Sequence, residues 1–247
     1  MPTIIAIAGQ KGGSGKTTVA IALTAEWLRR GKRVLLVDGD PQKTATTWVE
    51  VAIEKAKPVP TVTAMGATMW RPDQLPKLAQ GFDVVIVDTP PRLDDVQKAA
   101  LMVADVAVMP SGPSAHECWA LAEQLDLVSK ASVVRPELRA CLLLTRKVGG
   151  TLIGREAREA LTSTGVPVLK IELGYRTDYQ EASAAGLGAS TYKPSSVAAV
   201  ETRALVDEIE DFAGMKPQGR LLSADNTLLL GTDNVRRLAK DGARART

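Results

Sequence analysis

The residues near the N-terminus with the most chemical potential form one run, Gly9-Gln10-Lys11-Gly12-Gly13-Ser14-Gly15-Lys16-Thr17-Thr18. It follows an apolar stretch and opens into a helix-forming one. Glycines let the backbone turn tightly, so that successive N–H groups point at a single anion. The helix that follows presents its N-terminus to the same anion. In such a loop Lys16 reaches the β- and γ-phosphates of a nucleotide, and the Thr17 hydroxyl completes a Mg²⁺ shell. The run departs by one residue from G-x-x-x-x-G-K-[ST], because Gln10 stands at the first glycine position. It reads instead as K-G-G-x-x-K-T, with Lys11 at its head.

Two further carboxylate sites sit where apolar stretches end. Arg33–Asp38 runs into Asp38-Gly39-Asp40-Pro41-Gln42, and Phe82–Asp88 runs into Asp88-Thr89-Pro90-Pro91. Phosphoryl transfer needs charge neutralisation, an oriented water and little else. Lys11 and Lys16, Mg²⁺ on Thr17, and the carboxylates Asp38, Asp40 and Asp88 are residues of the right types for those parts.

The elements that must hold these groups alternate. The pattern predicts strands over Thr3–Ala8, Arg33–Asp38, Thr61–Ala64, Phe82–Asp88, Asp105–Met109, Arg139–Thr145 and Val168–Ile171. Between and after them it predicts helices over Lys16–Arg30, Lys43–Ala56, Pro72–Gln80, Asp94–Val103, Ser114–Ala131, Thr151–Ser163, Thr177–Ala185 and Ser196–Phe212. Runs such as IIAIA, VLLV and VVIV are apolar at nearly every position, which marks strands covered on both faces. The expected fold is α/β, a single doubly wound and mostly parallel sheet with helices on both faces. Its ligands bind at the carboxyl ends of the strands.

Composition narrows the function classes. Lys and Arg number 31 against 28 Asp and Glu, too small an excess for a polyanion-coated protein. Residues 214–247 carry seven basic against three acidic residues, net +4, and residues 1–213 carry 24 against 25, net −1. The rhythm of the fold stops at Gly214-Met215-Lys216-Pro217, so 1–213 is read as the nucleotide domain and 214–247 as a basic, flexible tail. Aromatics are 4%, which argues against a single-strand binder that stacks bases. Two cysteines and one histidine exclude a disulfide framework and a protein-only zinc site. Trp27, Met102, Trp119 and Cys141 read as packing residues, and His116 as a surface one. No apolar run reaches the roughly 18 residues of a membrane span, and the N-terminus lacks a basic leader. The expected location is cytoplasmic.

Lys11-Gly12-Gly13-x-x-Lys16-Thr17, then VLLVDGDPQ, then VVIVDTPP, resemble the deviant Walker A ATPases of the ParA/MinD group over about residues 2–212. The DGDPQ-x5-W form, with Trp48, is most similar to small ParA-type partition ATPases. The resemblance implies ATP and Mg²⁺ as cofactors and a homodimer that forms on ATP. It implies that Lys11 crosses the dimer interface to the partner's phosphates. Gly12, Gly13, Ser14, Gly15, Lys16, Thr17 and Thr18 would bind nucleotide, Thr17 and Asp88 the metal, and Asp38 either the Mg²⁺ shell or the phosphate-loop lysine. Asp40 would position the attacking water. Thr145 and Arg146 stand where many members carry Asn for adenine, and Arg92 where many carry a small residue.

The resemblance further implies non-specific DNA binding, for which Lys170, Arg176, Lys193 and Arg203 are the candidates, and nucleoid association. Hydrolysis would be triggered by a ParB-like or cargo-adaptor protein. With the first strand at Thr3 there is no room for an N-terminal helix-turn-helix, so operator recognition is not expected. The competing reading is a MinD-like membrane switch. It needs an amphipathic C-terminal helix with bulky apolar residues, and the tail has leucines and arginines but neither Trp nor Phe. A redox role like that of the nitrogenase iron protein needs two cluster-ligating cysteines per subunit, but Cys141 is read inside a strand and neither Cys118 nor Cys141 comes directly after the switch segment that starts at Asp88.

Overall fold

The computed structural model describes residues 1–92 and 94–215, with backbone alone for 94 and 115–120. Residues 1–215 form one compact unit. In chain order the elements are β1 (Thr3–Ile7), α1 (Lys16–Arg29), β2 (Val34–Asp38), α2 (Thr44–Glu54), β3 (Thr61–Ala64), α3 (Leu75–Leu78), β4 (Val84–Asp88), α4 (Asp94–Leu101), β5 (Val106–Ser111), α5 (Ala115–Val134), β6 (Arg139–Leu144), α6 (Leu152–Thr162), α7 (Thr177–Ala184), α8 (Ala189–Tyr192) and α9 (Val197–Ala213).

The strands form one sheet in the order β3-β2-β4-β1-β5-β6, and every pairing is parallel. Parallel strands need covered faces, and β2, β4 and β5 are buried at every position. Successive side chains alternate between two cores. Ile5, Ile7, Leu36 and Ile86 pack under α1, α2 and α7–α9, while Ile4, Ala6, Leu35 and Val85 pack under α3–α6. The fold class is the doubly wound α/β class that the alternating pattern dictates. β1 lies between β4 and β5, and its connection crosses the sheet one way, to β2, while theirs run the other way, to β5 and β6. A ligand crevice opens at that switch point, beyond the carboxyl ends of the strands.

Helix α1 leaves β1 through the glycine run and is buried at every position from Val19 to Trp27, which is why that stretch is apolar apart from Thr24 and Glu26. The Trp27 ring is fully buried and its Nε1 donates to Glu210 Oε1 of α9 at 2.7 Å. Next to it Glu26, also fully buried, accepts from Arg29 at 2.7 and 2.8 Å and from Arg30 Nε at 2.8 Å. Burial alone would raise the Glu26 pKa, but the two guanidiniums outweigh it and hold the carboxyl below its ordinary value. Arg30 also reaches Asp207 of α9 at 2.7 Å, so α1 and α9 are joined by one charged network.

Three expectations are corrected. Val168–Ile171 is not a strand, and only an isolated parallel bridge joins Leu142 to Val168. The backbone N–H groups of Lys170 and Ile171 are taken by the Glu208 carboxylate of α9 at 2.6 and 2.8 Å, so the ladder cannot continue. The helix expected over 72–80 shrinks to Leu75–Leu78, because Pro76 admits only a helix start and holds the residue before it away from a preceding turn. The short helix α8 was not expected. Cys141 and Trp27 are core residues, and Met102 is half-buried. The side chains of His116, Cys118 and Trp119, and the tail after Met215, lie outside the described residues.

Candidate functional site

Gly15 caps α1 with φ +93°, and Gly13 has φ +79°. These are left-handed backbone conformations that a side chain disfavours. No side chain caps α1, so its first N–H groups remain open to an anion. Lys16 is 6% exposed, and its Nζ donates to the Lys11 carbonyl at 3.0 Å, closing the loop on itself. Burial lowers the Lys16 pKa from its ordinary value, and Asp88 and Asp40 pull it back up.

The sheet register brings the carboxylates to this loop. Asp38 of β2 is level with Asp88 of β4, and Asp88 with Ile7 of β1. Asp38 is buried and fully engaged. Its Oδ1 accepts from the Asp40 N–H at 3.1 Å, and its Oδ2 from the Thr46 N–H and Oγ1, each at 2.8 Å. It therefore fastens the segment that carries Asp40 to the start of α2. Asp40 lies on the nucleotide side, and its Oδ1 accepts from the Gln42 N–H at 2.9 Å. Between the two carboxylates Gly39 is required by close approach, since a Cβ there would stand 2.9 Å from the Asp88 carbonyl oxygen.

Asp88 is fully buried, and neither carboxylate oxygen accepts a well-formed hydrogen bond. Burial pushes its pKa up to about 7, and Asp38 and Asp40 add to the rise, while the Thr17 hydroxyl and Lys16 oppose it. An unpartnered buried carboxylate beside a threonine hydroxyl is the donor set a hydrated divalent cation takes up. Among the described residues no cluster of three or more His, Cys, Asp or Glu side chains could hold a metal alone. Mg²⁺ keeps several waters and takes further ligands from phosphate, so it needs few ligands from the protein itself.

A cleft of about 430 Å³ opens at the loop. Gly12, Gly13, Gly15, Lys16, Thr17, Thr18 and Asp40 line one wall, with Pro91, Thr145 and Arg146. The Thr145 hydroxyl donates to the Ser14 carbonyl at 2.9 Å, so its proton is committed to the loop rather than to a base. Ser14 is 3% exposed, and its side chain lines a different cavity.

Sequence reasoning missed a further part of the cleft wall, lined by Leu173, Gly174, Tyr175, Tyr179 and Gln180. The signal available was their place just after the last apolar run, at the carboxyl edge of the sheet. Arg176, expected at DNA, lines this wall. Its Nε and Nη2 meet Glu201 at 3.0 and 2.6 Å, which commits the guanidinium to an internal ion pair. Glu201 also accepts from the Gly174 N–H at 3.2 Å and from the Tyr179 hydroxyl at 3.1 Å.

The other three basic residues lie away from the cleft. Lys170 is exposed. Lys193 donates to Asp178 at 3.1 Å, and Arg203 donates to the Pro194 carbonyl at 3.0 Å, which places these two beside the same turn. Arg92 is exposed and adopts φ +58°, an unusual backbone for arginine.

Residues 5–189, well over half of the chain, match the CobQ/CobB/MinD/ParA nucleotide binding domain. The chain belongs to this family. It is 34% identical over 185 residues to the maintenance of carboxysome distribution protein A of Halothiobacillus neapolitanus, covering 74% of this chain and 84% of that one. It is 32% identical over 237 residues to the chromosome-partitioning ATPase Soj of Thermus thermophilus, covering 83% and 94%. Among solved structures it is similar to the septum site-determining protein MinD of Pyrococcus horikoshii with Mg-ADP, at TM-score 0.67 and 21% identity over 87% of this chain and 98% of that one. A Cyanothece McdA variant bound to ATP gives TM-score 0.69 and 17% identity over 88% and 98%. The fold is thus that of the ParA/MinD-type P-loop ATPases, and ATP with Mg²⁺ fits the loop, the open α1 terminus and the unpartnered Asp88. No helix among the described residues is long and apolar enough to cross a membrane.

Proposed function

We propose that this chain is a cytoplasmic, nucleoid-associated ATPase that dimerises on ATP, binds DNA without sequence preference, and distributes DNA or a protein cargo. A ParB-like or cargo-adaptor protein triggers its hydrolysis. The observation that carries the reading is the K-G-G-x-x-K-T loop set against Asp40 and Asp88, in a chain similar to both a carboxysome-distribution protein and a partition ATPase.

The residues divide the work. The loop N–H groups and the α1 terminus hold the β-phosphate, and Lys16 neutralises the transferring phosphoryl group. Bound Mg²⁺ supplies further charge neutralisation and alignment of the phosphate oxygens. Thr17 and Asp88 are the residues that would hold that cation. Asp40 orients the attacking water, and Asp38 fixes Asp40 through the 3.1 Å bond from its backbone N–H. Lys11, supplied in trans, neutralises the charge that two facing nucleotides concentrate between subunits. Dimerisation then reads out the γ-phosphate.

The ATP dimer gathers Lys170, Lys193 and Arg203 from both subunits as its DNA contacts. This doubles a basic patch on a domain whose own net charge is −1. Light scattering tests the reading. The Asp40→Ala variant with ATP should have the mass of a dimer, and with ADP that of a monomer. A monomer under both conditions would remove the switch.

A further inference from the structure

A second, much smaller cavity lies on the β5 side of the phosphate loop and shares no lining residue with the nucleotide cleft. It has a volume of about 20 Å³, and its walls include Ser14 from the loop, Ser111 at the end of β5 and Gln124 of α5, with Gly9, Met109 and Leu121. These three polar residues are 3%, 4% and 2% exposed. Ser14 Oγ, Ser111 Oγ, Gln124 Oε1 and Gln124 Nε2 all lack a protein hydrogen-bond partner. Buried polar atoms are almost always satisfied, and four such atoms around one space is a departure that needs a cause. An apolar cavity stays dry, but one of this size lined by two to four polar groups holds a water molecule. Two hydroxyls, an amide donor and an amide acceptor match the two donors and two acceptors of water.

We propose that Ser14, Ser111 and Gln124 bind one structural water, and that Gln124 is through it a positioning residue for the phosphate loop. The loop is then held from three directions. Thr145 Oγ1 donates to the Ser14 carbonyl at 2.9 Å from the end of β6. Gln97 Nε2 of α4 donates to the Gly9 carbonyl at 3.3 Å. The water supplies the third support, from α5 to the Ser14 hydroxyl. A loop that binds phosphate with its backbone N–H groups depends on having them aligned before the ligand arrives, and supports behind the binding groups provide that alignment.

The test joins crystallography to a binding cycle on the full-length protein. A crystal structure at about 1.8 Å should show one ordered water within hydrogen-bond distance of all three side chains. Gln124→Leu should weaken Mg-ATP binding on the order of tenfold while the variant stays folded. Ser111→Ala should weaken it less, and the double variant should lose no more than Gln124→Leu alone, because both changes act on the same water. If Gln124→Leu does not fold, Gln124→Met paired with Ser111→Ala serves the same cycle. A dry cavity, additive losses, or unchanged Mg-ATP affinity in the folded Gln124 variant would overturn the proposal.

Discussion

Asp38, Asp40 and Asp88 are three carboxylates of similar sequence setting with three different surroundings. Asp38 is saturated by donors from its own segment, Asp40 keeps an oxygen for the cleft, and Asp88 has no well-formed bond at all. Their substitutions should therefore differ in kind. Asp40→Ala should lower ATP turnover by about 10²-fold while leaving ATP binding nearly intact, as expected for a water-orienting group. Steady-state hydrolysis and equilibrium nucleotide binding check this together, and turnover at the unsubstituted rate would sink the assignment. Asp88→Asn should weaken Mg²⁺-dependent ATP binding and yet stabilise the nucleotide-free protein at pH 8. At that pH the buried carboxyl, with a pKa near 7, is charged and unpaired. Thermal unfolding without nucleotide reads the second effect, and an unchanged or lower midpoint would contradict it.

The contact between α1 and α9 rests on a buried charge. Glu26 is fully buried with its pKa held below the ordinary value, and Arg30 carries the connection on to Asp207 of α9. A depressed carboxyl pKa contributes stability above the unfolded value, and that stability is lost as pH falls through the folded pKa. Glu26→Gln should thus cost about 3 kcal/mol near pH 7 and progressively less as the pH falls below about 4.5. Denaturant unfolding at pH 7 and pH 3.5 measures it, and an equal cost at both would refute it. Gly39→Ala should destabilise by about 1–3 kcal/mol, because its Cβ would press on the Asp88 carbonyl and on Val96.

The same scale shows what the sequence made legible. Strands buried on both faces and the glycine run are local patterns, and they placed β1, β2, β4, α1 and the loop within a residue or two. Val168–Ile171 looked like a strand because its residue types are those of one, while its competitor for hydrogen bonds, Glu208, lies 37 residues on in α9. That further part of the cleft wall was invisible for a related reason. Gly174, Tyr175 and Tyr179 carry no motif, and Arg176 reads as a free cation until folding sets Glu201 against it.

For the whole molecule, the charge arithmetic acquires a different meaning. The nucleotide domain is close to neutral, so the proposed DNA binding by that domain would rest on basic residues gathered by the proposed dimer rather than on its net charge. Lys16→Ala, at the lysine assigned to the transferring phosphoryl group, should abolish the proposed ATP-dependent dimer, and Lys11→Ala should leave nucleotide binding in the monomer but lose the dimer. Sedimentation with ATP should show both variants as monomers, and equilibrium nucleotide binding separates the two. The most direct test of the central claim is retardation of arbitrary duplex DNA by the full chain with ATP, with ADP and without nucleotide. Retardation should occur with ATP alone, weaken steeply with salt and be absent in Lys16→Ala. No retardation with ATP at low salt, or equal retardation in all three states, would contradict the claim.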